Sequence, residues 1–170
     1  KMTSSNGQAA DIRELEDALV QVEEALAADA SSALANAQKG VVLARLGRGE
    51  EALESYARAL ELKPDFNDVL FNQGNLLREL GRPEEALSSY DRALELEPRD
   101  AALLNNRGVT LFLLERYQEA LDSYARAIEL KPDYADAFAA FVKQAVKLNR
   151  EKGDPSRLGP RSRFLQGGAL

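Results

Sequence analysis

The sequence contains no cysteine, no histidine and no tryptophan among its 170 residues. Without cysteine there are no disulfides, and without cysteine and histidine the thiolate and imidazole ligands of metal sites are missing. The same absence excludes Ser-His-Asp and Cys-His catalytic sites. We therefore predict that the chain holds no cofactor and is not an enzyme.

Long apolar runs and an excess of positive charge are also lacking. No apolar stretch approaches the roughly 18–20 residues of a membrane-spanning helix, and no basic segment precedes a signal-type apolar run. The formal net charge of −6 disfavours nucleic acid as a partner, because phosphate binding requires a basic surface. These features predict a soluble cytoplasmic protein without a membrane span, and a periplasmic location also agrees with them.

What the sequence does contain is a pattern that returns at one fixed period. Its clearest copy is residues 67–100, in which two amphipathic helical runs flank Gly81-Arg82-Pro83. One such hairpin cannot bury its apolar stripe alone, so the pattern predicts stacked hairpins. Five marker positions recur three times, always with the same spacing: Gly40, Gly74 and Gly108; Ala52, Ala86 and Ala120; Tyr56, Tyr90 and Tyr124; Ala59, Ala93 and Ala127; Pro64, Pro98 and Pro132.

The period, the two helices per unit and the small-residue, tyrosine and proline markers resemble the tetratricopeptide repeat (TPR). The resemblance implies an all-α fold, a right-handed α-α solenoid of helix hairpins. The array spans 11–149. Its parts are a half-repeat at 11–28 that resembles a second helix, full repeats at 33–66, 67–100 and 101–134, and a capping helix at 135–149. A flexible lead-in at 1–10 and a basic extended tail at 150–170 flank it.

Local signals place the turns of the hairpins. Ser32 is predicted to cap the second helix of the chain, and Pro83 suits the first turn of a helix, where no N–H is needed. Gly47 is predicted to stop its helix in the left-handed conformation. A phosphate-binding loop at this glycine is excluded, because no strand precedes it and no Gly-Lys-Ser/Thr follows. The third repeat has Glu115 at this position.

Packing between the two helices of a hairpin is predicted at the small residues. Gly74 is expected to face Ala86 and Ala93, because a larger side chain would overpack the crossing. Apolar residues at three-and-four spacing form the predicted buried stripe. They are Leu70, Leu77, Leu80, Leu87, Tyr90, Leu94 and Leu96.

The TPR resemblance implies that the first helix of each hairpin lines a concave groove. Gln38, Asn72 and Asn106 are amides at one repeat position, and such a ladder can hydrogen-bond the backbone of an extended peptide. Phe71 and Phe112 would add apolar pockets. The predicted peptide-binding residues are Gln38, Phe71, Asn72, Asn75, Arg78, Asn105, Asn106, Phe112 and Lys143, with Val41, Arg45 and Val109 on the same face.

These features predict a non-catalytic scaffold that binds a peptide or protein segment in the groove. Acidic pairs such as Glu50-Glu51 and Glu84-Glu85 are interpreted as solvated helix termini. The asparagine ladder resembles the TPR arrays of O-linked N-acetylglucosaminyltransferases and of bacterial scaffolds. Two alternatives stay open: a substrate-guiding arm of a larger glycosyltransferase-type enzyme, and a structural protein that self-associates through its end helices or its tail, where Leu158, Phe164 and Leu165 are apolar anchors.

Overall fold

The computed structural model describes residues 3–135, 138–139 and 142–143, with side chains from Ala10 onward. This part of the chain forms seven complete α-helices and no β-strand. The helices are α1 (Thr3–Ala28), α2 (Ala33–Arg45), α3 (Gly49–Leu62), α4 (Asn67–Glu79), α5 (Pro83–Leu96), α6 (Ala101–Leu113) and α7 (Tyr117–Leu130). The predicted tail and most of the predicted capping helix lie outside the described residues.

The helices belong to two compact units, Lys1–Pro98 and Arg99–Leu170. In the first unit, α2 pairs with α3 and α4 pairs with α5, while α1 packs on α2 and α3 packs on α4. In the second unit α6 pairs with α7. Each full hairpin therefore has the two-helix form that the repeat predicts.

The predicted flexible lead-in is wrong, because α1 already begins at Thr3. Its Ser, Asn and Gly residues are weak helix formers, but extending an existing helix adds one hydrogen bond for each residue that is fixed. The helix also runs straight through Arg13 and Glu14. These two positions correspond, one repeat earlier, to the turn at Gly47-Arg48, so α1 has no turn where the full repeats have one.

The predicted helix caps and turns are confirmed. The Oγ of Ser32 accepts a hydrogen bond from the N–H of Ala35 at 3.1 Å, and Pro83 occupies the first turn of α5. Gly47 and Gly81 adopt the left-handed backbone, with φ of +76° and +73°. In all three hairpins the next N–H closes the helix end by donating to a carbonyl five residues back: Arg48 to Leu43 (2.9 Å), Arg82 to Leu77 (2.8 Å) and Arg116 to Leu111 (2.9 Å).

Glu115 keeps this turn geometry without being glycine, with φ of +58°. The left-handed region costs a residue with a Cβ roughly 1–2 kcal/mol. We expect Glu115→Gly to stabilise the protein by about 1 kcal/mol, because it removes this strain and only part of the gain is offset by the freer unfolded chain. Urea denaturation followed by circular dichroism measures the change.

The matched reverse variant is Gly81→Ala, which should destabilise by a similar amount. A Cβ at Gly81 would meet no atom within 4 Å, so the variant tests backbone conformation and not packing. A lower denaturation midpoint for Glu115→Gly would show that the turn tolerates glutamate without strain.

Each full hairpin is centred on one contact between a glycine and a tyrosine. A Cβ built on Gly74 would lie 2.6 Å from the Tyr90 ring, and one on Gly40 would lie 2.5 Å from the Tyr56 ring. The prediction that Gly74 faces Ala86 and Ala93 is therefore corrected, since the Tyr90 ring provides the nearest atoms. A glycine at the crossing leaves room for a ring, which buries far more apolar area than a methyl group.

The predicted apolar stripe is confirmed in the middle of the helices and wrong at their ends. Leu70, Leu77 and Leu87 are buried, whereas Leu80 and Leu96 are 40% and 43% exposed. Both exposed residues lie where their helix ends, beyond the partner helix. Leu80 still contributes to stacking in the first unit, because its methyl groups lie about 3 Å from where a Cβ of Gly49 would stand.

Candidate functional site

Three of the predicted groove residues form a cluster on α4 around Tyr90. Phe71, Asn75 and Arg78 are spaced by four and three residues, so they lie on one face of the helix. The Phe71 ring centroid is 6.4 Å from that of Tyr90, with the planes tilted by 59°. The hydroxyl of Tyr90 donates a hydrogen bond to Oδ1 of Asn75 at 2.7 Å. All three residues are half-buried, so they form a surface that a buried tyrosine holds in place.

The hydrogen bond to Asn75 fixes which way its amide points. Burial raises the pKa of Tyr90 to about 12, so the phenol stays protonated near neutral pH and acts as the donor. The oxygen of Asn75 thereby accepts one hydrogen bond, which orients the amide. Its NH₂ group has no partner within the described part of the chain, and it is left to donate to a ligand.

Asn72 and Gln38 supply the predicted amide ladder within the first unit. Asn72 is half-buried beside the α4 cluster, and Gln38 is exposed on α2, which contacts α4. Neither side chain has a hydrogen-bond partner among residues 3–135, 138–139 and 142–143. Both amides therefore retain donors and an acceptor for a ligand.

The second unit contains the other predicted residues in a different arrangement. Asn105 and Asn106 are half-buried on α6, and Lys143 is exposed. The Phe112 ring lies 5.1 Å from the Tyr117 ring at the end of the α6–α7 hairpin. Phe112 therefore packs within its own hairpin. Its half-buried ring is less available to form an apolar pocket for a ligand than the sequence predicts.

Tyr90 is the contributor to this surface that sequence reasoning missed. The recurrence of Tyr56, Tyr90 and Tyr124 predicts packing, and the fully buried Tyr90 ring confirms it. Its hydroxyl has the additional contact with Asn75, whose position is Val41 in the first repeat and Val109 in the third. The sequence does contain a signal of this contact, because Asn75 is the polar residue at a repeat position that is otherwise apolar.

Three of the four carboxylates in the acidic pairs at the starts of α3 and α5 contact arginines: Glu50, Glu51 and Glu85. Arg82 donates hydrogen bonds to Glu85 and lies 3.2 Å from Glu50 of the preceding hairpin. The hydrogen bond from Arg82 lowers the pKa of Glu85, and Arg48 lowers that of Glu51 in the same way. Glu51 and Glu85 are therefore ionised and paired at neutral pH, which agrees with their interpretation as solvated helix termini.

The features of a metal site or a membrane anchor do not occur in the described part of the chain. It contains no group of three acidic, histidine or cysteine side chains that could hold a metal ion. None of its helices is long and apolar enough to cross a membrane. A cavity of about 450 Å³ lies beside α1, lined by Asp11, Ile12, Leu15, Glu16, Arg45, Leu46 and Arg48.

Comparison with known proteins agrees with this architecture. Two family models of the tetratricopeptide repeat match the chain, one at residues 30–97 and the other at residues 71–135. The solved structure of YrrB, described as a TPR protein with an unusual peptide-binding site, is 33% identical. The match covers 86% of this chain and 76% of YrrB, with a TM-score of 0.70.

Structures of MamA share the fold at lower identity. A double mutant of MamA RS-1 is 20% identical over 87% of this chain and 81% of its own, with a TM-score of 0.72. Another MamA structure is 20% identical over 75% and 74% of the two chains, with a TM-score of 0.68. No match was found among curated protein sequences. The chain belongs to the tetratricopeptide repeat family, and its fold is an all-α helical repeat solenoid.

Proposed function

We propose that the chain is a non-catalytic interaction scaffold that binds an extended peptide or protein segment along the first helices of its hairpins. The observation that carries the proposal is the surface of α4. There the Asn72 amide and the NH₂ group of Asn75, neither with a partner among the described residues, share α4 with the half-buried ring of Phe71.

The chemistry of this surface fits a polypeptide backbone. An extended peptide offers carbonyl acceptors and N–H donors along its length. Asn75 can donate through its NH₂ group while its oxygen accepts from Tyr90, and Asn72 and Gln38 can donate and accept. Phe71 provides an apolar contact for a side chain of the peptide. The family, together with the peptide-binding site described for YrrB, supports the same class of partner.

A selection from a random-peptide library against the full chain supplies a probe for this proposal. We expect the double variant Gln38→Ala/Asn72→Ala to lose capture of the selected peptide in isothermal titration calorimetry, with its circular dichroism unchanged. The Asn72 amide has no partner in the described part of the free protein, so its removal should cost binding and not folding. Gln38 stands at the same repeat position on α2 and has no partner in the described part of the chain either.

The matched control is Gln118→Ala, which removes an exposed amide from a second helix, where Gln118 donates to Asp122 at 3.2 Å. This control should bind the peptide as the parent chain does. If the double variant also binds it with unchanged affinity, these amides are generic repeat composition and the proposed surface is wrong.

A further inference from the structure

Tyr56 packs in the first full hairpin as Tyr90 does in the second. The two tyrosines stand one repeat period apart, and they are 2% and 0% exposed. The ring carbon that bears the hydroxyl of Tyr56 lies 3.1 Å from where a Cβ of Gly40 would stand. Its counterpart in Tyr90 lies 2.9 Å from where a Cβ of Gly74 would stand. Both rings therefore lie alike on the equivalent glycine, which places their hydroxyls at equivalent positions.

The two hydroxyls differ in the residue that they meet. The hydroxyl of Tyr90 donates to Oδ1 of Asn75 on α4. The repeat equivalent of Asn75 on α2 is Val41, whose side chain has no acceptor. The Tyr56 hydroxyl has no hydrogen-bond partner in the part of the chain that the structure describes. A buried donor without an acceptor is unfavourable, so this hydroxyl is available to an acceptor from another molecule.

The Tyr56 hydroxyl belongs to the surface on which the proposed peptide lies. Val41 is 38% exposed, and the exposed Gln38 precedes it by one turn of α2. Within the first unit α2 contacts α4, which carries the other amides of this surface. The oxygen of the Tyr56 hydroxyl is not fully shielded from solvent, so an incoming group can reach it.

The surroundings of this hydroxyl favour a neutral acceptor. Burial, and after it the negative charge of Glu79 on α4, raise the pKa of Tyr56 to about 12. The phenol is therefore protonated near neutral pH and acts as a donor. An anionic acceptor at this place would be repelled by Glu79, because like charges repel each other. A main-chain carbonyl carries no charge and accepts hydrogen bonds readily.

We propose that the hydroxyl of Tyr56 donates a hydrogen bond to a main-chain carbonyl of the bound peptide. This inference rests on the proposed function and adds a contact that the side-chain amides do not supply. Asn75 provides a donor at this repeat position on α4, and Tyr56 provides one on α2, where Val41 cannot. The peptide main chain is thus bound by one donor in each of two successive hairpins.

Isothermal titration calorimetry with the selected peptide tests this inference. Tyr56→Phe keeps the buried ring and removes only the hydroxyl, so it should weaken binding by about three- to tenfold. The matched control Tyr134→Phe removes the hydroxyl of a half-buried tyrosine that follows α7, and it should bind the peptide as the parent chain does. Circular dichroism checks that both variants fold.

The stability of the free protein separates the two equivalent tyrosines. Tyr56→Phe should leave the urea denaturation midpoint unchanged or raise it, because the free protein loses no hydrogen bond. Tyr90→Phe should lower the midpoint, because it loses the hydrogen bond to Asn75. Equal losses in the two variants would show that the Tyr56 hydroxyl is already bonded in the free protein, and the inference would then be wrong.

An ester scan of the selected peptide identifies the accepting group. Replacing one main-chain amide with an ester weakens its carbonyl as an acceptor. We expect one such ester to weaken binding to the parent chain and to have no further effect on binding to Tyr56→Phe. Ester effects that are the same in both proteins at every position would overturn the inference in favour of a side-chain acceptor.

Failure of this inference can be told apart from failure of the proposed function. If Tyr56→Phe binds with parent affinity while Gln38→Ala/Asn72→Ala loses the peptide, the inference is wrong and the proposed function stands. If both variants bind with parent affinity, the peptide does not lie on this surface and both are wrong.

Discussion

Gly74→Leu is expected to lower the free energy of unfolding by roughly 1–3 kcal/mol or more. A Cβ at this position would already lie 2.6 Å from a ring carbon of Tyr90, closer than carbon atoms normally approach. Tyr90 is 0% exposed, so its ring has no open space into which it can move. Urea denaturation followed by circular dichroism measures the loss as a lower midpoint.

Two control variants test whether the loss of stability comes from the contact between Gly74 and Tyr90. Glu84→Ala removes an exposed carboxylate from the first turn of α5 and should change stability by no more than about 0.5 kcal/mol. In a Tyr90→Leu background, Gly74→Ala should become stabilising, because the ring is gone and alanine is the better helix former. Equal small shifts for Gly74→Leu and Glu84→Ala would show that Gly74 does not face its partner helix.

Alkaline pH is expected to remove a second large contribution to stability. Burial raises the pKa of Tyr56 and of Tyr90 to about 12, against about 10 in an unfolded chain. Between these values the unfolded state has lost the phenolic proton and the folded state still holds it, so unfolding is favoured. The contribution is fully present below about pH 10 and is lost as the pH rises to about 12, on the order of 2–3 kcal/mol for each tyrosine.

Denaturation midpoints measured across this pH window test the alkaline prediction. The double variant Tyr56→Phe/Tyr90→Phe keeps both buried rings and removes both ionisable hydroxyls. Its stability should fall less steeply with pH than that of the parent chain, although it starts lower through loss of the hydrogen bond from Tyr90 to Asn75. Identical pH dependence in the two proteins would contradict the assignment to these tyrosines.

Much of the fold can be predicted from the sequence, because the same turn and packing residues recur in all three repeats. Gly47 predicts a left-handed turn, and the recurring glycine and alanine positions predict where the helices cross. The sequence does not show which residue of the second helix contacts Gly74, because both alanine and tyrosine recur at positions near it. The sequence does not predict the helical start of α1, because its first residues are weak helix formers. They are helical because they extend the more regular helix that follows them.

The candidate site is less predictable, since a repeat frame indicates which face a residue occupies and not which of its atoms are already bonded. Asn72 and Asn75 lie on the predicted helix, but only the structure shows that the hydroxyl of Tyr90 donates to the oxygen of Asn75. Phe112 is on the predicted face too, and its ring instead packs against Tyr117. Both contacts join residues of different helices, which a helical period does not encode.

Our central proposal is that a peptide binds along α4 through side-chain amides. Titration of the ¹⁵N-labelled full chain with the selected peptide, observed by NMR, reports on these groups individually. We predict that the side-chain NH₂ signals of Asn72 and Asn75 shift together with backbone signals of α4, while the side-chain signal of Gln118 on α7 stays in place. Shifts confined to the second helices, with the Asn72 and Asn75 amides unchanged at saturation, would contradict it.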